Sequence, residues 1–461
     1  MLKSRYQAVC LGLSPWSLIH ALLLRQQGRD VLVVDDGSLA TDAPGLHRLT
    51  LLELSALKEL GLKKHLPMLT DLSPFLRPTT LTVHLPAQQW VTGHSVKENL
   101  REFVRKFSFL QTSTMLATLE RDGAELSAEL EKVTQEFVQW FNSPIVRQRA
   151  MLCFTSSTVP WVSEFQRLIS EEHARPYAGP EISPLGQLLA AYSATTDQVV
   201  KYRLTPHESW ALSFRLLSPL WELDRRWFER ELTRELHEAG GHTKKARIHS
   251  WQFYKNRVEA ALLDTYEGVI SHDRLLLYGF PPPEGQLQCL FSERTFRGVE
   301  FTWGDPLRLH PADEEAPVLT AFTSSSQLGT TLPVGFMENE GNHGRLVAVV
   351  AESLGMKQEF AYQEAWENLS GHLRRALPFG STPWEKARPR RSWGFWVEDG
   401  VRGDKKSTPK TPLMHHERRS VEVIDRINQE PLSGVELWGP LRSQRFGLIG
   451  FLADLRWDQL K

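Results

Sequence analysis

Cysteine is scarce in this chain, with three in 461 residues (Cys10, Cys153 and Cys289), widely spaced and without a CxxC pair. That spacing excludes a disulfide framework and a cysteine zinc site, and points to a reducing cytoplasm. Charge of one sign is missing too: 54 Lys and Arg stand against 55 Asp and Glu, a formal net charge of −1. A chain without a basic excess has no global electrostatic case for nucleic acid. Long apolar runs are absent. The stretch Ala8 to Leu24 is broken by Ser14, Pro15, Ser17 and His20, and leads through Gly28 into VLVVDD. A spanning helix needs about 20 predominantly apolar residues, so no transmembrane segment is predicted and membrane contact, if any, is peripheral.

What is present begins at residues 6 to 36, YQAVCLGLSPWSLIHALLLRQQGRDVLVVDD. Tyr6 to Leu11 predicts a strand, Ser17 to Gln27 a buried helix ended by Gly28, and Val31 to Val34 a second strand. Asp35 follows roughly 20 residues after the first turn, where a dinucleotide fold places the carboxylate that holds a ribose. The turn lacks most of its glycines. In place of Gly-x-Gly-x-x-Gly stand Gly12, Ser14 and Ser17, with Pro15 and Trp16 between the serines. The first glycine makes the turn, the second admits the pyrophosphate and the third packs helix on strand.

Further along, GLHRLTLLELSALKELGLKKHLP predicts a helix stopping at Gly61, and Leu81 to Leu85 with Gln88 to Val91 a small sheet. Val96 to Thr158 reads as mostly helical and Pro206 to Ala239 as one helix before Gly240–Gly241. Lys245 to Tyr254, Val258 to Thr265 and Gly268 to Tyr278 read as strands, and VGFMENEGNHGRLVAVV as a hairpin about Gly341–Asn342. Gln358 to Leu377 reads as helix, and 380 to 412 as a mobile Pro-, Arg- and Lys-rich connection.

Three separated pieces carry a resemblance: the N-terminal strand-turn-helix-strand, the stretch ERELTRELHEAGGHTKKARIHSWQFYKNRVEAALLDTYEGVISHDRLLL, and GPLRSQRFGLIGFLADL near the C-terminus. Their order resembles the two-domain FAD-dependent oxidoreductases: amine oxidases, phytoene-desaturase-like enzymes and, in the segment GLHRLTLLELSALKELGL, aromatic hydroxylases. The resemblance implies an α/β fold with a Rossmann-like FAD/NAD(P)-binding domain discontinuous in sequence, from residues 1–80, 226–290 and 415–461. Residues 81–225 and 291–414 would form a mixed β-sheet and helical substrate domain. It maps Gly12, Ser14 and Ser17 onto the phosphate turn, Asp35 onto the ribose carboxylate and Arg48 onto the basic residue after the second strand. Gly439, Gly447 and Gly450 map onto the closing turn and helix beside the flavin.

Two functions from different classes follow. In one, the chain is an FAD-dependent oxidoreductase moving hydride from an apolar or amine-bearing small molecule to flavin. In the other, it is a non-catalytic relative that has lost its cofactor and serves as a scaffold or partner subunit. An NAD(P)-dependent dehydrogenase leaves the C-terminal closing element unexplained. Trp16 separates the first two, because a ring above Gly12 excludes FAD whereas a ring behind the helix leaves the site open.

No catalytic acid or base stands in a recognisable motif. His415, His416 and Glu417 lack a further ligand for a metal, and Thr323 to Gly329 lacks a partner base for a nucleophile. Glu300 and Asp305 read as surface charges or as groups that position a substrate amine or hydroxyl, and the basic, Trp-bearing connection (Trp384, Trp393, Trp396) as a solvated loop with an option on lipid or a partner protein.

Overall fold

The structure is a computed structural model. It describes residues 3–36, 48–85, 88–107, 113–143, 157–174, 184–185, 188–189, 206–264, 268–278, 286–290, 432–439 and 447–457, with strands at 199–201, 295–303, 318–322, 334–340, 343–351, 388–398 and 422–425. The chain is α/β, as its sequence pattern predicts.

The opening stretch folds as β1 (Arg5–Leu11), α1 (Pro15–Gln26) and β2 (Val31–Asp35). Continuous apolar residues suit strands covered on both faces, and Val9, Cys10, Leu32 and Val33 are all buried. Gly28, at φ 76°, takes the left-handed position that ends α1, and its amide donates to the Arg25 carbonyl at 2.8 Å. β1 and β2 run parallel, with Ala8 opposite Val31 and Leu11 opposite Val34.

Strands from distant parts of the chain complete a seven-stranded sheet in the order Ile248–Tyr254, Arg257–Leu263, Val269–Leu277, β1, β2, His242–Lys245. Val435–Leu437 joins it in parallel beside Val269–Leu277. The predicted run Lys245 to Tyr254 is therefore two pieces on opposite edges. The Ala246 amide bonds to the Asp35 carbonyl at 3.1 Å, while the Arg247 amide turns to the Asp264 carboxylate at 2.9 Å.

Leu81–His84 and Gln89–Val91 belong to an eight-stranded mixed sheet rather than a small one. The predicted hairpin is seen in its two strands, which pair Glu340 with His343; Gly341–Asn342 lie outside the described residues. Arg388–Glu398, read above as part of a mobile connection, is an eleven-residue strand in this sheet, with Phe296 opposite Phe395 and Gly298 opposite Trp393. Trp393, Phe395 and Trp396 are residue types favoured in strands, and Arg388, Arg390 and Arg391 before them gave the segment its look of a basic connection. Helix 358–377, the segments 323–329 and 415–417, Asp305 and Trp384 lie outside the described residues.

Two helix boundaries also differ from expectation. The span 206–239 is two helices, Pro206–Leu217 and Arg225–Glu238, separated by the strand Leu220–Leu223. Pro219 cannot donate a helical hydrogen bond. α2 (Leu51–Lys64) runs through Gly61 and stops at His65, which takes the left-handed conformation at φ 52°. Gly61 is there for close approach: a Cβ on it would sit 2.8 Å from the Leu69 Cβ.

At the start of α2, Thr50 and Glu53 form a capping box. The other carboxylate oxygen of Glu53 accepts from Arg215 Nε at 2.8 Å and from its terminal nitrogen at 2.6 Å. Both side chains are under 5% exposed, so this pair joins α2 to the helix Pro206–Leu217 inside the protein. Removing one partner of a buried pair strands the other charge, at a cost of about 3–5 kcal/mol. The variant Arg215→Met is therefore expected to lose about 3–5 kcal/mol in chemical denaturation; a loss under about 1 kcal/mol would contradict a dry pair.

Candidate functional site: the turn after the first strand

The parallel register places Leu11, Leu277 and Leu437 level with one another. Gly12, Tyr278 and Trp438 thus stand at the carboxyl edge of the sheet, where open α/β sheets take their ligands. Asp35 ends β2 at the same edge.

Gly12 makes the turn its position predicts, at φ 101°, with its amide on the Val34 carbonyl at 2.9 Å. Ser14 is the N-cap of α1, in extended backbone at φ −159°. Its Oγ accepts from the Ser17 amide at 3.2 Å, and Ser17 Oγ accepts from the Ser14 amide at 2.9 Å. Ser17 Oγ also donates to the Ser14 carbonyl at 2.9 Å. The Leu18 amide takes that same carbonyl at 3.1 Å, and Pro15 has no amide hydrogen. From Ser14 to Leu18, only the amide of Trp16 lacks an acceptor.

This closed network decides the chemistry of the turn. A helix N-terminus holds phosphate through free amides aimed at the anion, and here the cap has consumed them. Ser14 and Trp16 are 1% exposed and Ser17 is 0% exposed. The hydroxyls expected to donate to phosphate instead face each other inside the protein. Trp16 is among the largest fully buried side chains, and its indole nitrogen has no partner. The residues present do not fit a pyrophosphate.

The other expected contacts divide. Asp35 is half-buried, and its carboxylate makes no hydrogen bond or ion pair among the described residues, as a ribose-binding group would require. Arg48 belongs elsewhere: its strand Arg48–Leu49 pairs with Trp221 and Glu222 in a separate three-stranded sheet, with its guanidinium 3.9 Å from Glu222. Gly439, at φ 95°, follows Trp438, and a Cβ on it would meet the Tyr278 ring at 3.4 Å. Gly447 opens the helix Gly447–Trp457, in which Gly450 is buried.

The residues that dominate this edge carried no sequence motif. His20, Tyr278, Trp438 and Phe451 are each at most 3% exposed. His20 Nδ1 and the Tyr278 hydroxyl are hydrogen-bonded. The His20 ring lies 4.4 Å from that of Trp438, and the Tyr278 ring stands perpendicular to Phe451 at 6.5 Å. Trp438 Nε1 donates to Glu436 at 3.0 Å, and Glu436 pairs with Arg274 at 2.7 Å. An aromatic residue directly after each of two strands was the available signal, and it reads equally as ordinary core.

Burial pushes the Cys10 thiol up to about 12, far from a thiolate at neutral pH. No group of metal-ligating side chains occurs among the described residues, and no helix among them is long and apolar enough to cross a membrane. An open groove of about 590 Å³ is lined by Tyr254, Lys255, Asn256, Arg257, Glu259 and Ser433.

No family model and no curated protein matches the sequence. Among solved structures, the chain is similar to an oxidoreductase from Methanosarcina mazei (12% identity, 97% of this chain and 98% of that one, TM-score 0.43). It is also similar to a flavin-dependent brominase (11% identity, 98% and 81%, TM-score 0.36). A peptidyl tryptophan dihydroxylase essential for tryptophylquinone cofactor biogenesis shows 13% identity and a TM-score of 0.39, with 85% of this chain covering 56% of its length. At these TM-scores the likeness carries no argument about activity or about single residues. The α/β fold rests on the strand order given above.

His272 extends the pattern of buried polar groups. It is 4% exposed on the strand Val269–Leu277, with neither ring nitrogen hydrogen-bonded. Burial, then the Arg257 charge, lowers its pKa to about 4 against a weaker opposing pull from Asp273. The unfolded chain therefore binds more protons between pH about 6.5 and about 4. Stability is intact above that window and falls through it by about 3 kcal/mol as the pH drops. The variant His272→Leu is expected to flatten this part of the stability profile, measured as denaturation midpoint against pH. An unchanged acid slope would rule out His272 as its source.

Proposed function

We propose that this chain is a non-catalytic relative of the two-domain flavoproteins, serving as a scaffold or partner subunit. Residues 1–80, 226–290 and 415–461 would form its dinucleotide-type body, and 81–225 with 291–414 its second. One observation carries the reading: the Ser14–Ser17 network satisfies the helix N-terminus from within and is buried. A pyrophosphate would have to break that network, since from Gly12 to Leu18 only the amides of Leu13 and Trp16 lack an acceptor. The damage to the glycine fingerprint is then a replacement by a self-sufficient cap. Gly12, which serves the turn, is retained.

A second reading, an FAD-dependent oxidoreductase acting on an apolar or amine-bearing small molecule, is favoured by Asp35. Its carboxylate stands without a partner at the ribose position.

The two readings separate on the purified, untagged protein. The scaffold reading expects no flavin absorption and no chromophore on denaturation. It also expects an unchanged Tm after incubation with excess FAD, whereas ligand at 100 times its Kd adds about 2.7 kcal/mol of stability. A flavin spectrum with released FAD would establish the oxidoreductase instead.

A further inference from the structure

We infer that the ligand crevice of this fold has been converted into a hydrogen-bonded aromatic lock, in which His20, Tyr278 and Trp438 hold the C-terminal segment to the N-terminal sheet in place of a cofactor. This deepens the cofactor-free reading and rests on it.

Open α/β sheets take their ligands past the ends of the parallel strands. The parallel ladder here runs one residue beyond each strand: the Gly12 amide bonds to Val34, the Tyr278 amide to Leu11 at 2.8 Å, and the Trp438 amide to Leu277 at 2.7 Å. The side chains of the last two residues both reach the imidazole of His20. Tyr278 hydrogen-bonds His20 from α1, Trp438 lies against the same imidazole, and Phe451 from the C-terminal helix closes on the Tyr278 ring.

Four sequence-distant elements therefore meet in one cluster. A ring pair of this kind adds attraction beyond the area it buries, and a satisfied buried hydrogen bond fixes its geometry. Gly439 fits the same account. Its left-handed backbone, at φ 95°, is enough to call for glycine after Trp438 and needs no flavin. Trp438 is held in turn by Glu436, itself paired to Arg274 on the neighbouring strand.

Hydrogen exchange on the full-length protein tests the lock at the helix Gly447–Trp457, with β2 as internal reference. Trp438→Ala and Tyr278→Phe are each expected to speed exchange in that helix on the order of 10-fold while β2 stays protected. Trp438→Phe, which keeps a ring, is expected to recover most of the protection. Added FAD is expected to change nothing in any of the proteins. Unaltered exchange in both disrupting variants would overturn the lock alone, and so would equal acceleration in the helix and in β2. Slowed exchange in the wild-type protein on adding FAD would overturn the cofactor-free reading itself. Where Trp438→Ala does not fold, the comparison of Tyr278→Phe with wild type decides.

Discussion

A helix N-terminus can satisfy its own amides or offer them to an anion, and one set of donors cannot do both. The first turn of α1 has taken the former course. Ser14 and Ser17 cap each other, Pro15 withdraws a donor, and the turn is buried under the protein's own side chains. Everything proposed about this chain depends on that choice. The sheet and helix form an open α/β layer with a left-handed Gly12 at its edge, and the turn there is closed on itself.

Packing also governs the rest of this edge. Here the ends of β1, Val269–Leu277 and Val435–Leu437 are joined by backbone bonds and covered by Tyr278, Trp438 and His20. Arg48 has a similar history. Expected near a cofactor, it lies instead in a small sheet against Glu222, close in sequence to the Glu53 that anchors Arg215. These polar groups join elements through hydrogen bonds and charge pairing.

Much of the scaffold was legible because its signals are local. The apolar runs at Tyr6–Leu11 and Val31–Val34, Gly28 as a helix stop, and the Gly341–Asn342 hairpin each depend on a few adjacent residues. Elements set by distant partners were less legible. Arg388–Glu398 looks like a basic connection until Thr295–Trp303 pairs with it, and Gly61 looks like a stop until Leu69 packs on it. The site was harder still. Ser14 and Ser17 are the right residue types for binding phosphate and for capping a helix. Only the direction of their hydroxyls separates the two uses. His20, Tyr278 and Trp438 have no motif, since their meaning comes from meeting at one edge.

Calorimetric titration of FAD into the purified full-length protein tests the closed turn most directly. The account predicts no saturable heat at FAD concentrations up to the millimolar range, where a Kd of 1 mM corresponds to only about −4.1 kcal/mol of binding. Saturable one-to-one binding in the micromolar range would contradict it, because the Ser14–Ser17 cap would then have to open for a pyrophosphate.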